Sequence, residues 1–233
     1  MNRPLLLGHR GARKYAPENT IAAFELALDH GCDGFEFDVR LTADGVAVVC
    51  HDAKFCGVSV GDNTYESLVE RASGRGLARL EQVLELGSRA FLNVELKVEG
   101  LEEIVIERLK KYPAEKGVVV SSFLPVVVSR LHELGAEFPL GIICENRRQL
   151  GKVKELPVQA VMVGRGLVTP PLVRKMQNTP LKPKEGLNGA PETQIFVWTV
   201  NSARDMRKFA EMRMDGIISD DTKLLVETVG RRP

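Results

Sequence analysis

The stretch Gly34-Phe35-Glu36-Phe37-Asp38-Val39-Arg40 has the period of a β-strand. Side chains of a strand point alternately to opposite faces, so Phe35, Phe37 and Val39 share one face and Glu36, Asp38 and Arg40 the other. Two carboxylates two residues apart therefore lean into one space. Asn93-Val94-Glu95-Leu96-Lys97 repeats the pattern: Val94 and Leu96 face one way, Asn93, Glu95 and Lys97 the other. One reading is two half-exposed strands with solvated charges, common on antiparallel sheets. The other is that Glu36, Asp38 and Glu95 converge on a cation. Two unit charges ~4 Å apart repel by roughly 4 kcal/mol at an effective dielectric of about 20. Three carboxylates sharing a cleft therefore take up protons or hold a metal. All-oxygen donors suit Ca²⁺ or Mg²⁺ far better than zinc.

Outward from that strand, the apolar run Leu5 to His9 ends in Gly8-His9-Arg10-Gly11. Asn19 or Thr20 caps a helix in which Ile21, Phe24 and Leu28 keep helical spacing until Gly31. After the carboxylate strand, Thr42-Ala43-Asp44-Gly45 leads into Val46-Ala47-Val48-Val49-Cys50-His51, and Asp-Gly between apolar runs predicts a hairpin. A parallel crossover needs about a dozen residues or more, so this pair is antiparallel. A turn centred on Ala43-Asp44 sets His51 opposite Glu36; one centred on Asp44-Gly45 sets it opposite Asp38. Either register puts His51 on the acidic face. Residues 52 to 78 read as irregular and polar, and a loop of that length is commonly functional.

From residue 80 onward, helical and strand patterns alternate to the end of the chain. Strands are expected over 91–97, 117–122, 140–144, 158–163, 194–200 and 216–219, with helices between them and a last helix near 223–228. Residues 178–193 form a Pro- and Gly-rich connection that follows a helix and precedes a strand, hence at the amino-terminal face. Without the hairpin arm the count is eight strands and eight helices. That predicts a (β/α)₈ barrel, one domain over 1–233, with the arm and a small insertion at 46–78 following the second barrel strand. An open doubly wound sheet is the alternative. In both folds ligands sit at the carboxyl ends of the strands, where His9, Glu36, Asp38, Glu95 and Lys97 all fall.

The totals are those of an ordinary soluble chain: 233 residues, 44% hydrophobic, 27% charged, formal net charge +1. Near-neutrality gives no electrostatic footprint for nucleic acid or a membrane surface. No apolar run approaches a membrane span, and the start is too short in apolar residues for a signal peptide. Cys32, Cys50, Cys56 and Cys144 lack metal-ligand spacing and read as reduced thiols, so a cytoplasmic setting is expected.

Several pieces recur in a distinctive order: Gly8-His9-Arg10-Gly11, Pro17-Glu18-Asn19-Thr20, Phe35-Glu36-Phe37-Asp38-Val39, His51-Asp52, Leu80-Glu81-Gln82-Val83-Leu84, Asn93-Val94-Glu95-Leu96-Lys97, Ser122-Phe123, Val197-Trp198-Thr199-Val200-Asn201 and Asp215-Gly216-Ile217-Ile218-Ser219-Asp220. In this order and spacing, across nearly the whole chain, they resemble the glycerophosphodiester phosphodiesterase family. The resemblance implies a (β/α)₈ barrel and metal-dependent hydrolysis of a small-molecule glycerophosphodiester to glycerol 3-phosphate and an alcohol. It implies Glu36, Asp38 and Glu95 as metal ligands, His9 and His51 as acid and base, and Glu18 and Trp198 as residues of the pocket.

The chemistry asks for the same residue types. Charge builds on the non-bridging oxygens during hydrolysis, and a divalent cation, Arg10 and Lys97 can offset it. Protons must move at the nucleophile and at the leaving alkoxide, which suits His9 and His51. The segment after His51-Asp52 lacks the Arg-Thr-Thr run of many members, leaving the alcohol side unassigned. A lysophospholipase D or sphingomyelinase-D-like enzyme is an alternative, suggested by Phe55, Val58, Val60, Tyr65 and Leu68 in the arm. A non-catalytic barrel that binds a phospho-ligand is another, although no His or acid of the set is missing.

Overall fold

The computed structural model describes residues 3–72, 76–177 and 193–230. Among these, eight parallel strands close on themselves, with the first pairing both the second and the last. In chain order the barrel strands are Leu5–His9, Gly34–Leu41, Phe91–Leu96, Val118–Ser122, Leu140–Cys144, Ala160–Gly164, Gln194–Trp198 and Gly216–Ser219. A helix follows each one, and this closed barrel excludes the open sheet. The connection expected over 178–193, with its place at the amino-terminal face, lies outside the described residues apart from Thr193.

The alternation within Gly34–Leu41 separates two cores. Phe35, Phe37 and Val39 point outward into the layer between strands and helices, where Phe24 of helix Ile21–Asp29 stacks on Phe35 with ring centroids 4.4 Å apart. Burying side chains of this size contributes roughly 1.5–3 kcal/mol each. Thr20 starts that helix by accepting a hydrogen bond from the Ala23 N–H at 3.2 Å. The other face points into the barrel. Both faces are buried from Gly34 to Val39, so the half-exposed reading fails.

The barrel interior is filled at its base by Leu7, Phe91, Val119, Phe196 and Ile218 among others. Phe91 and Phe196 lie 6.1 Å apart, nearly parallel. Glycines make room for them: a Cβ at Gly216 would meet the Phe196 ring at 2.2 Å, and one at Gly34 would meet the Phe91 carbonyl oxygen at 1.9 Å. With the base plugged, the charged residues higher on the same strands are left at the carboxyl end.

The arm after the second strand is antiparallel, as expected, but its register differs from both expected ones. Val39 pairs with Val49 and Leu41 with Ala47, which would set His51 opposite Phe37. The turn spans the five residues 42–46: the Thr42 N–H donates to the Val46 carbonyl at 3.0 Å, Gly45 takes a left-handed φ of 78°, and Thr42 Oγ1 donates to Asp44 Oδ1 at 2.6 Å and accepts from the Val46 N–H at 2.9 Å. His51 reaches the acidic face because the chain leaves the ladder after Cys50, whose N–H donates to the Asp38 carbonyl at 3.0 Å, and is held by the Arg40 Nε bond to the His51 carbonyl at 2.8 Å. Residues 52–78 are also less irregular than expected. A two-stranded ribbon, Lys54–Phe55 with Val58–Ser59, precedes helix Tyr65–Arg71. Val48, Cys50, Val60, Leu68 and Leu77 form a small core under it.

Candidate active site

The residues of the acidic face meet at the carboxyl end of the first three strands. Asp38 and Glu95 are neighbours in the register of adjacent strands, and His9 is the neighbour of Glu36. Carboxylate oxygens of Glu36, Asp38 and Glu95 lie within 4.8 Å of one another, and all three residues are buried. Lys97 Nζ donates to Glu95 Oε1 at 2.5 Å and stands 3.1 Å from Asp38 Oδ1.

The loop after the first strand supplies the rest. Arg10 takes a left-handed φ of 54°, and its N–H donates to Glu36 Oε2 at 3.0 Å. A non-glycine residue in that region costs free energy that neighbouring contacts must offset. Here the offset is Arg10 itself, whose Nε lies 3.3 Å from Asp38 Oδ2 and whose Nη1 donates to Glu18 at 2.9 Å. Asn19, also left-handed and buried, donates to Asp38 Oδ2 at 2.8 Å. Glu18 stands behind Arg10, paired with Arg10 and Arg13, and does not line the cavity.

These contacts divide the carboxyls. Burial, with Asp38 and Glu95 adding repulsion, pushes Glu36 well above the ordinary carboxylate range. Burial and then Asp38 push Glu95 up to about 7. Burial alone would raise Asp38 too, but Lys97 and Arg10 outweigh it and hold it below the usual range. Both oxygens of Asp38 have donors, whereas Glu36 Oε1 is buried with no hydrogen-bond partner. An orphaned carboxylate oxygen beside a second acid that resists ionisation is an uncompensated demand for positive charge. A divalent cation bound by oxygen ligands fits that demand.

A cavity of about 210 Å³ opens over the acids, lined by Arg10, Glu36, Glu95 and Lys97 on one side and by Phe123, Ile143, Met162 and Trp198 on the other. His9 and His51 both reach it, from different elements. His9 Nε2 is 3.9 Å from Glu36 Oε2, and its Nδ1 is 2.6 Å from Asp220 Oδ1. His51 Nδ1 is 2.7 Å from Asp52 Oδ1. Burial pulls the His51 imidazole below its ordinary value, against the raising effect of Asp38. Trp198 meets Phe123 edge to face at 5.8 Å and donates Nε1–H to the Met162 carbonyl at 3.3 Å. A larger groove of about 530 Å³ lies on the outer surface by helices Arg147–Lys152 and Pro170–Gln177, with no acid or histidine among the described residues of its lining.

The model of the glycerophosphoryl diester phosphodiesterase family matches residues 9–84 and 77–224. The chain belongs to that family. A glycerophosphodiester phosphodiesterase of Caldanaerobacter subterraneus subsp. tengcongensis is 31% identical over 97% of this chain and 98% of its own. One from Bacillus altitudinis is 31% identical over 92% and 94%. Among solved structures, a glycerophosphodiester phosphodiesterase from Thermotoga maritima superposes with a TM-score of 0.80 at 26% identity, covering 97% of this chain and 99% of that one. A phosphodiesterase from Oleispira antarctica, solved in complex with the product sn-glycerol-3-phosphate, shares the fold with a TM-score of 0.81 at 22% identity, covering 98% of each chain.

Membership makes this chain an enzyme that hydrolyses glycerophosphodiesters. Of the family-type residues named from the sequence, His9, Arg10, Glu36, His51, Glu95, Lys97 and Trp198 line the cavity; Asp38 and Glu18 support it from behind. Sequence reasoning misses Asn19, Asp220 and Asn201. Each stands inside a recurring motif, yet Asn19 reads only as a helix cap and the other two as loop ends. Asn93, which strand alternation sets on the face of Glu95 and Lys97, is bonded in the cavity lining at 3.0 Å to Ser121, which carries no sequence signal of its own. Among the described residues no helix is long and apolar enough to cross a membrane.

Proposed function

We propose that the enzyme splits glycerophosphodiesters to glycerol 3-phosphate and an alcohol, with Glu36, Asp38 and Glu95 holding one divalent cation, Ca²⁺ or Mg²⁺, and His9 and His51 moving the protons. The observation that carries this is the pair of imidazoles, from two different elements, that line one cavity above the buried acids. When bound, the cation supplies charge stabilisation to the phosphoryl oxygens. Arg10 and Lys97 add fixed positive charge at the same rim and orient the anionic diester.

His9 suits the base. Its side chain is 12% exposed, it lies beside Glu36, and Asp220 backs it. From there it takes the proton of the attacking oxygen, either of water or of the substrate's own glycerol hydroxyl; in the second case the alcohol leaves a cyclic glycerol phosphate, which water then opens to glycerol 3-phosphate. His51 suits the acid. Its side chain is 32% exposed at the start of the arm, where a departing alcohol can be protonated and released. The Oleispira phosphodiesterase, which holds sn-glycerol-3-phosphate as its product, supports this outcome for a chain of the same fold.

The lysophospholipase D or sphingomyelinase-D-like alternative has less support. Val60 and Leu68 are buried in the arm's own core with Phe55, Val58 and Tyr65 packed against it, and none of the five lines the cavity. The deciding experiment is incubation with several glycerophosphodiesters, with and without chelator, coupled to detection of glycerol 3-phosphate. Release of glycerol 3-phosphate that chelation abolishes is expected; equal hydrolysis after thorough chelation would sink the metal assignment.

A further inference from the structure

Asp220 follows the eighth barrel strand, and its carboxylate sits behind His9. Its Oδ1 is 2.6 Å from His9 Nδ1, and its Oδ2 accepts from Asn201 Nδ2 at 2.6 Å. The orientation of the Asn201 amide is set independently. Its Oδ1 accepts from the Asp220 N–H at 3.0 Å and from the Ser219 hydroxyl at 3.1 Å, so its NH₂ must face the carboxylate. An ionised carboxylate only accepts, so at 2.6 Å the proton must be on His9 Nδ1. Arg13 approaches both partners, with Nη1 3.5 Å from His9 Nδ1 and Nε 3.6 Å from Asp220 Oδ1. Those contacts are too long to displace the shorter bond, and they offset the carboxylate's charge.

The geometry points to Asp220 and Asn201 as positioning residues that hold His9 in its Nδ1–H tautomer, with Nε2 free toward the cavity to exchange the reaction's proton. This rests on the reading of His9 as a proton-transfer residue. Which nitrogen of an imidazole carries the proton is set by what the other nitrogen bonds to. His51 lacks an equally enclosed partner: Asp52 is 76% exposed, against 27% for Asp220. The histidine that must present one particular nitrogen is therefore the deeper one.

The polarity of the chain from Asn201 through Asp220 to His9 gives a test that simple loss of a contact does not. In Asp220→Asn the new amide must turn its oxygen to the Asn201 NH₂. Its own NH₂ then faces His9 Nδ1 and favours the Nε2–H tautomer. The double variant Asp220→Asn/Asn201→Asp reverses the chain. The new carboxylate at position 201 keeps its bonds from the backbone N–H of position 220 and from Ser219, accepts from the amide NH₂, and turns the amide oxygen back to His9.

The experiment combines ¹⁵N–¹H spectra of the histidine rings with steady-state kinetics on a glycerophosphodiester, for wild type, both variants and His9→Ala, each checked by thermal melting. Wild-type His9 is expected as Nδ1–H. Asp220→Asn is expected as Nε2–H, with kcat lower by roughly 10²–10⁴-fold and KM little changed. The double variant should return to the wild-type tautomer and recover kcat. A wild-type ring protonated at Nε2 overturns the proposal without any variant. So does a double variant as slow as the single one. A fully active His9→Ala overturns the proton-transfer reading beneath it, whereas an inactive His9→Ala beside a wild-type-like Asp220→Asn overturns the positioning role alone.

Discussion

Lys97 Nζ stands 3.1 Å from Asp38 Oδ1, tying the third barrel strand to the second at the cavity rim. The lysine side chain is 11% exposed and the aspartate 1%. Burial alone would lower the lysine's pKa; Glu95 and Asp38 outweigh it and keep the ammonium charged. Removing one member of a buried pair leaves the other uncompensated, at a cost of about 3–5 kcal/mol. Lys97→Met should therefore lose stability of that order in denaturant titrations with chelator present. Divalent metal should restore part of it, since the cation offsets the same carboxylates. An unchanged denaturation midpoint in chelator would show that Lys97 is not the compensating charge.

Glu36 makes the opposite prediction for the metal-free protein. Its carboxyl is raised well above the ordinary 4.5, so the folded state binds that proton more tightly than the unfolded state does. Its contribution to stability is present below the unfolded value and is lost as pH rises through the folded one. In chelator at pH 8, Glu36→Gln should melt above wild type, and the gap should close toward pH 5. Metal reverses the order: a ligand at about 100 times its Kd adds about 2.7 kcal/mol to whichever form binds it. A Glu36→Gln protein that melts below wild type in chelator at pH 8 would contradict the strain assigned to this carboxylate.

What is legible in the sequence is local. The period-two alternation puts Glu36 and Asp38 on one face without knowledge of any partner strand, and the alternation of elements leaves a barrel and an open sheet, between which the pairing of the first strand with the last decides. That Glu95 adjoins Asp38 depends on parallel register, which a crossover through 42–90 sets and no local pattern reveals. The hairpin register escapes the sequence for a related reason: the Thr42–Val46 backbone bond encloses a three-residue loop, Ala43, Asp44 and left-handed Gly45, one residue more than a two-residue Asp-Gly turn counts. Asp220 lies 211 residues from His9, and Asn19 reaches Asp38 only because its backbone is left-handed. Short polar residues of this kind read as caps and turns until the fold brings their distant partners.

The arm has its own core, and that core places His51. Leu68 is fully buried there with Val48, Cys50, Val60 and Leu77. Leu68→Ala removes packing worth roughly 2–5 kcal/mol, and the loss should stay local because the cluster is separate from the barrel's cores. Amide hydrogen exchange across 47–70 should speed up while the barrel strands stay protected. Activity on natural diesters should fall with it. Exchange that rises uniformly through the barrel would mean the arm is not an independent unit.

The division of labour between the histidines is open to a leaving-group test. Removing a positioned acid or base costs about 10²–10⁴-fold in rate, so His9→Ala and His51→Ala should both be slow on glycerophosphodiesters with alkyl alcohols. The two should part on an activated diester. A nitrophenolate departs without a proton, so an enzyme lacking only its acid recovers on that substrate, while one lacking its base stays slow because the nucleophile still needs activation. His51, more exposed and beside the arm, is the residue expected to recover; His9, deep against Glu36 and Asp220, is expected to stay slow on every diester. If recovery appears in His9→Ala instead, the roles are exchanged, and the alcohol leaves on the Asp220 side of the cavity. If neither variant recovers, neither imidazole is a dedicated acid, and the pair is better understood as holding the phosphate in place over Glu36, Asp38 and Glu95.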